Sequence, residues 1–306
     1  MLNIFLSVLP IFLLITAGYL VKNRFVRDDG FWKAADKLVY YVFFPALLLL
    51  DVSDANFASA NTSSSILATV GGTLLVAIFI LVAQRVVTVR NDLFTSIFQG
   101  GVRYNSYVFV ALAQSLSGAE GVAISGVFVA YMIVLTNVMS VLVMNHYGTG
   151  GKKSFKGTVA AMVQNPLIIG AMLGLALNVA DLHIAGAARQ FLTYLGNAAT
   201  PLSLMSVGAG LMLVMQARQA IATGYAVGLK LLVMPLCTLT LLKVQGASGT
   251  PAHIALLYSS VPCAGNAYIM ARQMGGDAET MASIITWTTL LSAATITVII
   301  GTITQL

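Results

Sequence analysis

The feature that most constrains this chain is a series of apolar stretches, each about 20 residues long, that recurs along its whole length. Of its 306 residues, 58% are hydrophobic and only 8% are charged, whereas a soluble domain carries roughly 25% charged residues. So few charges cannot cover a water-soluble globule, and the chain is therefore predicted to be solvated by lipid. Runs of this length exclude a transmembrane barrel, whose strands are shorter and alternate in polarity.

Ten transmembrane helices are predicted, and none of the short connections between them is long enough to form a soluble domain. The first apolar run lacks the positive amino-terminal region and the cleavage site of a signal peptide, and Lys22, Asn23 and Arg24 follow it, so we expect it to be retained. The predicted fold class is an all-α polytopic membrane protein. Its spans are at about 2–21, 36–53, 65–84, 96–117, 121–145, 158–180, 197–216, 221–243, 253–272 and 279–304.

The distribution of lysine and arginine predicts the orientation of these spans. Odd-numbered loops carry twelve such residues and even-numbered loops carry two, Arg189 and Lys243, while Arg103 and Lys230 fall inside spans. The odd-numbered loops are therefore predicted to be cytoplasmic, with both termini on the periplasmic side of a bacterial inner membrane. The net charge of +6 follows from this bias and from contact with anionic headgroups, so it does not predict a nucleic-acid partner.

Matching residues in the two halves of the chain indicate an internal repeat. Asn105 and Tyr107 are matched by Asn266 and Tyr268 at an offset of 161. Each half holds five predicted helices, which is an odd number, so residues 1–150 and 151–306 would form repeats of opposite topology, a common plan of secondary transporters. Three further pairs are separated by 156 residues, and they are Pro10 and Pro166, Gly18 and Gly174, and Pro45 and Pro201.

The fourth and ninth spans contain residues that weaken a helix near its middle. Pro262 removes a backbone donor and Gly265 loosens the same turn, so the ninth helix is predicted to break near residues 261–266. The fourth span has Gly100 and Gly101 but no proline. If both helices are interrupted where they cross, their ends converge at mid-membrane, where amino-terminal ends attract an anion.

Polar residues near these breaks are the candidate substrate-binding residues. Asn105 and Asn266 occupy repeat-related positions, although hydrogen bonding between helices is an alternative role for both. Arg103 and Lys230 lie deep within spans, where a charge is a functional candidate, although each side chain is long enough to reach the headgroups. For Asn137, helix packing is an equal alternative. The full set is Asn105, Asn266, Arg103, Ser106, Tyr107, Gly265, Pro262, Tyr268, Lys230 and Asn137.

Residues for other kinds of chemistry are missing from the predicted spans. No span has an acidic residue at its middle, so a proton relay through carboxylates is not predicted, and coupling to Na⁺ or H⁺ is left open. Cys237 and Cys263 form no CxxC pair and the three histidines are scattered, so no metal or other cofactor is expected. The spans lack a nucleophile–base pair, so an enzyme is not predicted. An anion channel or a membrane receptor is the alternative to a carrier.

Short motifs occur in a specific order along nearly the whole chain: Leu9-Pro10-Ile11-Phe12, Phe31-Trp32, Pro45-Ala46-Leu47-Leu48, Arg103-Tyr104-Asn105, Asn165-Pro166-Leu167, Pro201-Leu202-Ser203-Leu204 and Met274-Gly275-Gly276-Asp277. In this order they resemble a bacterial member of the auxin efflux carrier family, which includes plant auxin exporters and bacterial malonate and malate carriers.

That resemblance implies a fold similar to the bile-acid–sodium symporters. Predicted helices 1, 2, 6 and 7 would form a scaffold, and helices 3–5 and 8–10 a mobile transport domain in which helices 4 and 9 cross at the site. The implied function is alternating-access transport of a small mono- or dicarboxylate. The substrate, the direction of transport and the oligomeric state, including a homodimer, are left open.

Overall fold

The computed structural model describes residues 2–54, 62–149, 164, 166–212 and 219–303, and within these ranges the chain is helical with no strand. The predicted all-α fold is therefore confirmed. Two π-helical segments, Val39–Phe43 and Leu229–Val233, each join two α-helices into one continuous helix. The α-helices are α1 (Leu2–Arg24), α2 (Asp29–Leu38), α3 (Phe44–Ser53), α4 (Thr62–Val86), α5 (Asn91–Val102), α6 (Ser106–Tyr147), α7 (Pro166–Val179), α8 (Gly186–Ala209), α9 (Ala220–Gly228), α10 (Met234–Val244), α11 (Gly249–Ser260), α12 (Ala267–Met274) and α13 (Ala278–Ile303).

Several of these helices are long and apolar enough to cross a membrane. By length and composition this holds for four segments among the described residues, Thr62–Val86, Asn91–Tyr147, Ala220–Val244 and Ala278–Gly301, and Pro166–Val179 is a shorter apolar helix. The chain is thus a membrane protein by its helices. The number of ten spans and the inverted repeat stay predictions.

Helix α4 shows that the outer surface suits lipid. Its buried side carries small and hydroxyl-bearing residues such as Thr69, Gly72 and Thr73. Its outer side carries large apolar residues such as Leu67 and Ile78, which are more than half exposed. Small residues allow close approach between membrane helices, and large apolar residues face the lipid tails without cost.

Three of the predicted spans begin at the wrong residue. The helix of the fourth span begins at Asn91 instead of 96. The helix of the second span begins at Asp29, before the predicted 36, because the Asp28 carboxylate accepts hydrogen bonds from the backbone of Gly30 and Phe31 at 2.8 and 3.0 Å. That capped first turn is polar, so it lies outside the apolar run. The helix of the seventh span begins at Gly186 instead of 197 and ends at Ala209. The start of the sixth span and Asn165 lie outside the described residues.

A single residue replaces the predicted loop between the fourth and fifth spans. At Gly118 the backbone takes φ 59° and ψ −147°, which favours glycine, and the chain then continues as helix. The two arms of α6 fold back on each other, since a methyl group on Gly121 would overlap the Ala113 carbonyl. The rings of Phe109 and Phe128, one on each arm, have centroids 6.5 Å apart.

The helices pack in two groups. In the first group, α8 packs against α1 and α3, and α3 also packs against α7. In the second group, α4, α5, α9, α10, α11 and α13 form a connected set, and α13 also contacts α1. Helix α6 contacts members of both groups. These groups correspond in sequence to the scaffold and transport domain that the family resemblance implies, and that division stays a prediction.

Two glycines bring α1 and α8 into backbone contact. A methyl group on Gly18 of α1 would overlap the Met205 carbonyl of α8, and one on Gly208 of α8 would overlap the Ile15 carbonyl of α1. Each of the two helices therefore requires a glycine at the point where the backbone of the other helix lies against it.

Each π segment precedes a proline by two residues. Val39–Phe43 is followed by Pro45, and Leu229–Val233 by Pro235. A proline inside a helix lacks an N–H and clashes with the preceding turn. The wider π turn accommodates this defect without ending the helix.

Candidate functional site

The first interruption lies between α5 and α6. The helix ends at Val102 because Arg103 turns extended, with φ −79° and ψ 153°. Helix α6 begins again at Ser106, and the Asn105 side-chain oxygen accepts hydrogen bonds from the backbone of Tyr107 and Val108 at 3.0 and 3.2 Å. Asn105 is thus the N-cap of α6, so part of its side chain has a structural role.

The second interruption lies between α11 and α12 and contains Pro262, as the sequence predicted. Helix α11 ends at Ser260, and residues 261–266 are not helical. The Cys263 backbone N–H donates to the Thr288 hydroxyl of α13 at 3.2 Å, which replaces a lost helical partner. Asn266 precedes α12 but makes no side-chain cap, so its amide is not committed to the helix end.

The two interruptions begin alike and differ in length. The Arg103 backbone N–H donates to the Gln99 carbonyl at 2.9 Å, and the Val261 N–H donates to the Leu257 carbonyl at 3.1 Å. Val261 has φ −72° and ψ 155°, nearly the values of Arg103. The first interruption comprises residues 103–105, and the second comprises the longer stretch 261–266. The two helix starts that follow the interruptions are therefore further apart in sequence than the two helix ends that precede them.

The two interruptions touch each other through their backbones. The Asn105 N–H donates to the Pro262 carbonyl at 2.9 Å. The Cys263 thiol lies 3.7 Å from the Gln99 carbonyl at the end of α5. The rings of Tyr104 and Tyr258 also meet edge to face, with centroids 4.4 Å apart. The structure therefore brings the predicted breaks together at one point.

Arg103 places a positive charge at this meeting point. Its Nη2 donates to the Asn266 side-chain oxygen at 3.0 Å and its Nη1 lies 3.3 Å from the Met270 sulfur. The side chain is only 5% exposed, and its Nε has no hydrogen-bond partner. Among the described residues Arg103 has no carboxylate within ion-pair distance. A buried cation without an anion is costly, so the site favours an anionic ligand.

The exposed part of the site lies at the second interruption. Gly265 and Asn266 are exposed, whereas Asn105 is buried. The amino-terminal ends of α6 and α12 both start at the interruptions, and each carries the positive end of a helix dipole. A carboxylate that reaches Asn266, which precedes α12, would therefore meet the Arg103 guanidinium.

The other predicted residues are placed differently. Ser106 is half-buried in the first turn of α6, and the neighbouring Tyr107 ring stacks on Phe44 of α3 at 4.9 Å. Tyr268 lies beside the Arg272 guanidinium, 5.9 Å from the ring centroid. Tyr107 therefore joins α6 to α3, and Tyr268 contacts a residue of its own helix.

Lys230 and Asn137 are not hydrogen-bonded to this cluster among the described residues. Lys230 is completely buried in the second π segment, so its alternative role of reaching the headgroups is wrong. Asn137 is half-buried in the second arm of α6. Met270, Cys263 and Thr288 contact the site and were not predicted as site residues. The position of Cys263 next to Pro262 was a usable signal, whereas Met270 and Thr288 carried none.

The sequence is similar to known membrane transport proteins. A family model described as "Membrane transport protein" matches residues 3–300. A protein of Rhizobium meliloti (strain 1021) named "Putative malonate transporter" is 27% identical, over 95% of this chain and 92% of that protein. A protein of Methanothermobacter thermautotrophicus (strain ATCC 29096 / DSM 1053 / JCM 10044 / NBRC 100330 / Delta H) named "Uncharacterized transporter" is 22% identical, over 94% of each chain.

Proposed function

Because the chain belongs to the membrane transport protein family that includes the auxin efflux carriers, we propose that it is a secondary transporter of a small organic anion. The substrate would be a mono- or dicarboxylate that crosses the bacterial inner membrane by alternating access. The observation that carries this proposal is the buried Arg103, which has no carboxylate partner among the described residues, at the meeting point of two interrupted helices.

Each part of the site has a role in this proposal. The Arg103 guanidinium offsets the charge of the substrate carboxylate, and Asn266 orients it from the exposed side. Asn105 holds the start of α6 and the Pro262 carbonyl in place, so it positions the site. Interrupted helices that meet at a binding site are a recurring feature of secondary transporters.

The proposed topology is ten spans in two inverted five-helix repeats, with both termini periplasmic. The similar geometry of the two helix ends at Arg103 and Val261 supports the repeat. The bias of lysine and arginine towards odd-numbered loops supports the orientation.

A labelling experiment tests the orientation. In a variant without Cys237 and Cys263, single cysteines replace Arg27 in the first loop and Asp181 in the sixth, both of which are exposed. We expect a membrane-impermeant maleimide to label Asp181→Cys in intact cells and Arg27→Cys only after the membrane is opened. The reverse pattern would contradict the orientation, and labelling of both in opened membranes is the control.

Counterflow in proteoliposomes tests the function, with malonate as the first probe because a relative bears that name. Vesicles loaded with unlabelled malonate are expected to accumulate external radiolabelled malonate transiently and saturably, because a carrier exchanges one molecule for another. Conduction without saturation or counterflow would indicate an anion channel. If no carboxylate in a screen of mono- and dicarboxylates binds or exchanges, with or without Na⁺, the proposed function is wrong.

A further inference from the structure

Lys230 is a buried amine that the proposed anion site does not use. The side chain is 0% exposed, and its Nζ has no hydrogen-bond partner among the described residues. It lies in the π segment Leu229–Val233, which packs against α5, α11 and α13. π segments inside helices are frequent at functional sites. An ammonium has three N–H groups to satisfy, so a site without an acceptor stabilises the neutral amine unless other charges offset this cost.

The surroundings of Lys230 include such compensation. Its Nζ lies 5.7 Å from the ring centroid of Tyr258, in the last turn of α11. The adjacent Leu229 packs beside Gly101, in the last turn of α5. The carboxyl-terminal end of α11 is therefore close to this amine, and that of α5 is close to the π segment that carries it. Helix carboxyl-terminal ends carry negative partial charge, which favours a cation.

Cys263 connects Lys230 to the anion site. The thiol is close enough to interact electrostatically with both Lys230 and Arg103. The Gln99 carbonyl that it faces also accepts the Arg103 backbone N–H. Arg103 follows the end of α5 and its guanidinium reaches Asn266 at the start of α12, whereas Lys230 lies beside the last turn of α11. Like charges repel, so an anion bound at Arg103 would offset positive charge at the crossing and thereby reduce the cost of an ammonium at Lys230.

Few other titratable groups belong to the elements packed against Lys230. Helix α11 contributes Tyr258 and, at its other end, His253. Helices α5 and α13 contribute Asp92 and Glu279, each in the first helical turn and away from the crossing. The continuous helix that contains Lys230 adds Tyr225, Cys237 and Lys243. Among the described residues, none of these carboxylates forms an ion pair with Lys230.

We propose that Lys230 is the proton-binding site of the transport cycle, so that the anion is carried together with a proton. This inference rests on the proposed function. The neutral amine accepts one proton from water and becomes an ammonium when the anion binds, and it releases that proton when the anion leaves. Because coupling is reciprocal, a bound anion favours protonation and a lower pH favours anion binding.

Calorimetry on the purified full chain tests the linkage. Malonate is titrated at several pH values at which it is fully ionised, in two buffers that differ in ionisation enthalpy. For the wild type we expect uptake of up to one proton per malonate, and an affinity that rises up to about tenfold per unit of falling pH. For Lys230→Met we expect malonate binding without proton uptake. Lys243→Met, which removes an exposed lysine from the same continuous helix, is the matched control and should behave as the wild type.

A second variant keeps the test decisive if Lys230→Met does not fold. Lys230→Arg carries a permanent charge, so it should bind malonate with a pH-independent affinity. In proteoliposomes, an inward proton gradient should drive malonate accumulation by the wild type, whereas either variant should exchange malonate without accumulating it. Counterflow by the wild type without proton uptake would overturn the role of Lys230 alone, as would unchanged linkage in either variant. Absence of counterflow in the wild type with malonate and with every other carboxylate of the screen would instead count against the proposed function.

Discussion

Replacing Arg103 with glutamine is expected to lower kcat/KM for malonate uptake at least about 30-fold, because truncating one partner of a buried charge pair costs about 2–5 kcal/mol. In the structure this guanidinium contacts Asn266 and Met270, and it has no ion-pair partner among the described residues. The substrate carboxylate would therefore be its principal counter-charge. Initial uptake rates in proteoliposomes at varied malonate concentration measure the effect.

Two further variants distinguish the loss of a substrate-binding group at Arg103 from the loss of a positive charge elsewhere in the protein. Arg103→Lys keeps the positive charge but loses the guanidinium that can hold a carboxylate by two hydrogen bonds, so we expect an intermediate loss of kcat/KM. Arg85→Gln removes an exposed arginine near the end of α4 and should leave uptake within about twofold of the wild type, since exposed charges contribute little. Near-normal uptake by Arg103→Gln would show that this charge does not bind the substrate.

Replacing Asn266 with aspartate is expected to abolish malonate transport while stabilising the protein. The new carboxylate would take the place of an oxygen that already lies 3.0 Å from Arg103 Nη2. It would therefore pair with the guanidinium internally and compete with the substrate for that charge. We expect at least about a 100-fold loss of kcat/KM, with a gain in folding stability of about 1 kcal/mol. Uptake assays and the melting temperature of the purified variant measure the two effects.

The direction of these two effects separates binding from helix packing. If Asn266 only joins α12 to Arg103, aspartate would serve as well as asparagine and transport would be retained. Asn91→Asp, at the exposed start of α5, is the matched control because it adds the same charge away from the crossing. It should leave transport unchanged.

The interruption of the ninth span was predictable because its causes are local. Pro262 and Gly265 act on the turn in which they lie, so no knowledge of the fold is needed. The interruption of the fourth span has a different origin. Gly100 and Gly101 are both within α5, and methyl groups there would press on Ile284 and Ile80. These glycines serve close packing, and the chain turns extended only after them.

Features that depend on neighbouring helices were not predictable, whereas the early start of α2 was. The early start of α2 had a local signal in Asp28, but this capped turn is polar and so lies outside the apolar run on which the predicted span rests. The burial of Lys230 was not predictable in this way. Its distance in sequence from the cytoplasmic end of the span is short enough for the side chain to reach the headgroups. In the structure the surrounding helices bury the Lys230 side chain completely, so it does not reach the headgroups. Likewise, the contact of Met270 with Arg103 depends on how α12 is placed after the interruption.

The reciprocal glycines of α1 and α8 also bear on how such a carrier would move. Sliding one helix along the other would bring a bulkier residue to Gly18 or Gly208, where the opposing main chain leaves no room. The two helices thus keep a fixed register and would move together as one rigid unit. Displacement during a cycle would fall instead on boundaries made by repackable side chains, such as the stacked rings of Phe44 and Tyr107 between α3 and α6.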